Sequence, residues 1–136
     1  MALIKAISVK QPWANLIASG EKTIETRTWA TDYRGELLIV SSKTPPIHPA
    51  GFGLAIVKLV DCRPMVRRDE MAACCEIYES AFSWVLREIR RIRPFPVRGQ
   101  LGLYDVELPA DITGAYGLAS IWWTGSECMR HGYFLV

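Results

Sequence analysis

Hydrophobic positions fall into short blocks whose period switches between two and 3.6. In Leu3–Val9 both alternating sets, Leu3, Ile7 and Val9 against Ile4, Ala6 and Ser8, are mostly apolar. That is the pattern of a central strand covered on two faces. A helix is predicted over residues 12–19. Pro12 suits its first turn, Trp13, Leu16 and Ile17 recur at i, i+3 and i+4 as a buried face, and Gly20 stands where a left-handed C-cap belongs. Residues 22–29 return to period two, with Thr23, Glu25, Arg27 and Trp29 on one face and Ile24, Thr26 and Thr28 on the other. Tyr33-Arg34-Gly35 reads as a turn and residues 36–42 as an aliphatic strand. Three prolines and two glycines make residues 43–53 a loop. Residues 54–62 form a nearly continuous apolar run, as in a strand packed on both sides.

Residues 67–79 have helical composition, with Met71, Cys74, Cys75 and Tyr78 at helical spacing. Residues 82–93 fit two templates. Phe82, Trp84 and Leu86 alternate as in a strand, while Phe82, Val85, Leu86, Ile89 and Ile92 also fit a helix, and Pro94 and Pro96 end either one. Residues 103–108 predict one more strand. The sum is an α+β domain of five to six strands and two or three short helices. The strands do not alternate with full crossover helices, which favours a small barrel with helices at its openings over a doubly wound sheet. Residues 1–108 read as the domain, and residues 109–136, with four glycines and Trp122-Trp123, as an appended C-terminal extension.

The chain has 136 residues, half of them hydrophobic and 22% charged. That suits one domain with one core and needs no metal or disulfide staples. A net charge of +2 excludes a histone-like polycation but not a local phosphate-binding patch. No apolar run approaches the ~20 residues of a membrane helix, and the start reads as no signal peptide, so a cytoplasmic location is expected. Cys62, Cys74, Cys75 and Cys128 form no CxxC pair, and His48 and His131 lie far apart, so neither a metal site nor a cofactor is expected.

Three segments in order resemble the ASCH family: Ile7-Ser8-Val9-Lys10-Gln11-Pro12-Trp13-Ala14; Gly20-Glu21-Lys22-Thr23-Ile24-Glu25-Thr26-Arg27, which matches that family's G-x-K-x-x-E-x-R signature in full; and Pro96-Val97-Arg98-Gly99-x-x-Gly102. The resemblance covers about residues 3–108. It implies a PUA-like β-barrel of mixed strands and a cleft, beside the first helix and the signature strand, that takes RNA, modified bases or nucleotides. It also implies that residues 82–93 are a strand, with a bulge near Glu88 where the alternation slips.

The candidate cleft residues are Ser8, Lys10, Gln11 and Trp13 at the strand-to-helix junction, then Lys22, Thr23, Glu25, Arg27 and Trp29, with Lys43 from the following loop. Free amides at a helix start favour anions. Glu25 and Arg27 place an acceptor and a bidentate donor on one wall, suited to a base edge or a phosphate; equally, they suit a structural ion pair. Trp13 and Trp29 are candidate stacking platforms, although helical spacing puts Trp13 on the buried face. Five arginines at 87, 90, 91, 93 and 98 oppose one acid, Glu88, and Arg87, Arg91 and Arg93 share strand parity. Arg90, Arg91, Arg93 and Arg98 are therefore either a phosphate track or a solvated strand edge.

The resemblance leaves three function classes. The first is an RNA- or nucleotide-binding module. The second is a hydrolase: some small relatives resemble amidohydrolases that remove acyl groups from N4-acylated cytidine with a lysine, a threonine and a glutamate. Lys22 matches that lysine, but the threonine's place falls on Glu25, with Thr23 near it. A ribonuclease using Lys22 and Glu25 is the variant of this reading. The third is an adaptor that docks a protein partner through the C-terminal tail. The binding module is the expected one; no membrane partner is implied, and no oligomeric state is read from the sequence.

Overall fold

A computed structural model describes residues 2–112 and the backbone of residues 121–122. Its strands are β1 (Leu3–Val9), β2 (Ile24–Arg27), β3 (Gly35–Ser41), β4 (Phe52–Pro64), β5 (Phe82–Pro96), β6 (Leu103–Glu107) and β7 (Ile121–Trp122). Helix α1 spans Trp13–Ser19. A 3-10 turn over Arg67–Asp69 leads into α2, Glu70–Ala73. The strands form one mixed, curled sheet in the order β2-β5-β4-β3-β1-β6, with β7 against β5. Among the described strands only β1 and β3 pair in parallel, because α1 and β2 form the crossover between them; the other described pairs are antiparallel. The curled sheet is a half-barrel, and the PUA-like fold expected from the resemblance is present.

The sheet buries both of its faces, which is why β1, β3 and β4 lack clean alternation. Ile7, Val9, Leu37, Ile39, Val57 and Trp84 pack on one face beneath α1. Ile4, Ala6, Leu38, Val40, Ile56 and Tyr104 pack on the other. A smaller cluster of Ile24, Met65, Ala73, Ala81 and Val85 joins the β4–β5 connection to β2. Among the described residues no helix is long and apolar enough to cross a membrane.

Residues 82–93 are strand, and the helical alternative is excluded. Lys58 faces Arg87 and Ile56 faces Arg90, so Val57 opposes both Glu88 and Ile89. Glu88 takes φ +51° to make this bulge. The bulge shifts the alternation by one residue. Arg87 pairs with Lys58 and Arg91 with Ala55, which point to opposite faces, so the parity expected for Arg87 and Arg91 is lost.

Three expectations need correction. The helix over 67–79 stops at Ala73, because Cys74 adopts φ +56° and closes it as a left-handed C-cap. Met71 is 91% exposed, so the spacing there marks no core face. In α1 the buried stripe is Ala14, Ile17 and Ala18, the second set with i, i+3, i+4 spacing, while Trp13 is 37% exposed. Alanine on that stripe brings the helix close to the sheet and turns the indole to the rim. The strand expected over 22–29 is shorter, running Ile24–Arg27. Gly20, at φ +85°, ends α1 as expected, its N–H donating to Ile17 O. The cysteine at 128, the histidine at 131 and the tryptophan at 123 lie outside the described residues, as does most of the 109–136 extension.

Candidate functional site

The end of β1, the first turn of α1 and strand β2 meet around a cavity of about 580 Å³. The wall is built from the signature outward. Lys22 follows the Gly20 turn and is only 1% exposed. Its Nζ donates to Ala73 O and lies 3.7 Å from Glu25 Oε1. Glu25 is 8% exposed, and its Oε2 accepts from Arg27 Nε at 3.0 Å, with Arg27 Nη2 also at 3.0 Å. Arg27 Nη2 donates at 2.6 Å to Ser8 O on β1. Lysine, carboxylate and guanidinium therefore form one chain of charge, from the floor beneath α2 to the open strand end. The side chain of Arg27 is 24% exposed and keeps donors for a ligand. Lys10 is exposed on the rim, so three cations and one carboxylate line the cavity.

Ser8 Oγ pairs with Tyr104 Oη at 2.7 Å. Burial raises the Tyr104 phenol above its ordinary pKa, while its hydrogen bonds to Ser8 and to the backbone of Gln100 pull the other way. A Cβ added to Gly99 would sit 3.1 Å from Ser8 Oγ. Glycine at 99 thus lets the loop before β6 close against β1. Trp29 stands edge-on to Trp84, with centroids 4.9 Å apart, and its carbonyl accepts from Trp84 Nε1. Trp13 and Trp29 both line the cavity.

The family model for the ASCH domain matches residues 7–96. The chain belongs to the ASCH domain family. Activating signal cointegrator 1 of Homo sapiens is 24% identical over 127 residues, covering 74% of this chain and 22% of the relative. The Mus musculus protein of the same name is 23% identical over the same shares. The chain thus spans about a fifth of the length of these relatives. The crystal structure of ASCH from Zymomonas mobilis superposes with a TM-score of 0.59 at 18% identity, covering 76% of this chain and 87% of that one. It bears on the fold alone.

The matched ASCH region contains the full signature, but not every candidate residue reaches the cavity. Gln11 is buried and caps α1 instead. Its Oε1 accepts from Asn15 N and its Nε2 donates to Asn15 Oδ1, both at 2.9 Å. Ala14 N donates to Lys10 O, so these first-turn amides are satisfied within the chain and do not face an anion. Thr23 joins its backbone to Ala72 O and Leu86 N and stays outside the cavity. Lys43 is exposed on its loop, packed beside Gly51.

The arginines spread apart. Arg90 pairs with Glu36 at 2.6 Å and Arg93 with Asp111 at 2.6 Å. Arg91, half-buried, faces Ala55 on β4. Arg98 is exposed on the loop before β6. Sequence reasoning missed Cys75 and Tyr78, which the irregular segment after α2 brings to the cavity, and Gln100 and Leu101 on the opposite lip. Leu101 is 98% exposed. The Gly99-x-x-Gly102 segment of the third family motif was the one signal available for that lip.

Proposed function

We propose that this ASCH chain binds RNA or a nucleotide in the cleft walled by Lys22, Glu25 and Arg27. One observation carries the reading: a cavity of about 580 Å³ combines a net-positive wall with Trp13, Trp29 and Tyr78 at its sides. That volume lies within the range of small-ligand sites, roughly 300–1,000 Å³. Arginine donors suit a phosphate or a base edge, and aromatic rings accept a stacked base of any identity.

Binding is favoured over an amidohydrolase with Lys22 as nucleophile by the placement of the amine. Lys22 is only 1% exposed and its Nζ is held between Ala73 O and the Glu25 carboxylate, so a substrate would have to displace one of these partners to reach the amine.

The test is a fluorescence titration with single-stranded RNA and with ribonucleotides at several salt concentrations. Trp13→Ala removes an exposed ring and should weaken binding roughly 5- to 150-fold, the equivalent of ~1–3 kcal/mol per stacked base. Arg27→Gln should also flatten the slope of log K against log salt by about 0.7 if it holds one phosphate. Absence of binding at low salt, or affinities indifferent to both substitutions, rejects the proposal.

A further inference from the structure

A second cavity of about 600 Å³ adjoins the cleft, and Gln100 lines both. We propose that this second cavity is a subsite for the neighbouring nucleotide of a single strand, with Arg98 on the phosphate that links it to the nucleotide in the cleft. The inference rests on the cleft reading above and deepens it: the ligand is a single-stranded polynucleotide and not a free mononucleotide.

Four observations support this. The two cavities meet at Gln100, the residue common to both linings. The backbone of Gln100 bonds the Tyr104 hydroxyl, which pairs with Ser8 Oγ at 2.7 Å, and Ser8 O in turn accepts from Arg27. The saddle between the cavities is therefore tied to the same strand end as the cleft wall, while the Gln100 residue itself stays exposed above it. Secondly, Arg98 lies two residues from Gln100, lines the second cavity, is exposed, and has no ion pair among the described residues. It is thus available to a phosphate in a way that Arg90, held by Glu36, is not.

Thirdly, the other charges of the second cavity are largely internal. Asp105 is paired with Lys5 at 3.0 Å and Arg93 with Asp111, which leaves Glu107 as the carboxylate opposing Arg98. Finally, Pro96, Val106 and Pro109 give that cavity apolar walls for a sugar or base.

The experiment uses the full 136-residue chain and compares the ribonucleoside 5′-monophosphates of A, C and U with the matching tetranucleotides. Wild type should bind its preferred tetranucleotide at least about tenfold more tightly than the monophosphate. Arg98→Gln should remove most of that gain, lower the salt slope for the tetranucleotide by about 0.7, and leave the monophosphate Kd unchanged. Arg90→Gln should leave the gain intact. Because Arg98 is exposed, an unchanged melting curve will show that the variant is folded.

Equal wild-type affinity for monomer and tetramer overturns the subsite, as does an Arg98→Gln effect that is absent or the same for both ligands. If monophosphates bind and Trp13→Ala weakens them while the tetramer gains nothing, only the subsite fails. If nothing binds, the cleft reading falls and takes the subsite with it.

Discussion

Removing the Glu25 charge tests whether the signature wall is a structural ion network. Glu25→Gln keeps the shape and an acceptor for Arg27 but strips the carboxylate from Lys22, whose side chain is almost wholly buried. At an effective dielectric of ~20, unit charges 3.7 Å apart attract by about 4–5 kcal/mol. Ala73 O still accepts from the ammonium, and Arg27 is exposed enough for water to screen its share. Breaking one side of a buried pair typically costs ~3–5 kcal/mol, so a loss of about 3 kcal/mol is expected. With a urea m-value of about 1.5 kcal/mol/M, the midpoint should fall by roughly 2 M. The double variant Lys22→Met with Glu25→Gln no longer buries an unpaired ammonium and should recover more than half of that loss. Urea unfolding followed by circular dichroism gives all four corners of the cycle. A midpoint shift under about 0.5 M for Glu25→Gln, or a double variant as unstable as the two single losses added, refutes the reasoning.

Two further predictions concern the frame around the cleft. The Arg63 guanidinium, with Val66 N–H and the Ser83 hydroxyl behind it, holds the buried Asp69 carboxyl down at about 2. A folded pKa below the unfolded 3.8 gives stability that is present above about pH 4 and lost as pH falls toward 2, at most about 2 kcal/mol. Unfolding midpoints between pH 6 and 2.5 should therefore fall less steeply for Asp69→Asn than for wild type; identical pH profiles would remove Asp69 from the acid response. At the β5 bulge, Glu88 occupies a left-handed backbone that glycine adopts freely and β-branched residues resist. Glu88→Gly should match or exceed the wild-type melting temperature and Glu88→Val should lower it, whereas equal melting of both variants would mean that the bulge backbone carries no such strain.

Much of the frame was legible because each apolar block is bounded by a residue with one physical meaning. Gly20 closes α1, the prolines between 45 and 49 open the loop, and the slip in alternation near Glu88 marks the bulge. What failed was reading that chose between equal spacings. Trp13, Leu16 and Ile17 satisfy a helical face as well as Ala14, Ile17 and Ala18 do, and only the close approach of α1 to the sheet selects the second set. Residues 67–79 had composition without a stop signal, and Cys74 ends the helix at a position where glycine would have announced it. The arginine run between 87 and 98 looked uncompensated because its acids are remote in sequence: Glu36 reaches Arg90 across the sheet, and Asp111 reaches Arg93 from beyond β6. Cys75, Tyr78 and Gln100 reach the cavity by tertiary folding alone, and periodicity contains nothing of that.

The signature spacing itself orders the three charges by depth. Lys22 lies at the floor, Glu25 between, and Arg27 at the opening, each more exposed than the one before. A cation at the opening needs a fixed direction to select a ligand, and a guanidinium on a flexible stem has none unless something on the inner side orients it. Glu25 does so through Arg27 Nε and Nη2, and Ser8 O takes a further donor from Nη2. Glu25 in turn would be a costly buried anion without Lys22 beneath it. On the proposed binding reading, the lysine is the foundation of the wall and the arginine is the end that meets the ligand. Substitutions at 22 should then register first in unfolding midpoints, and substitutions at 27 first in affinity. A Lys22→Met variant that stays as stable as wild type yet loses ligand binding would reverse that order.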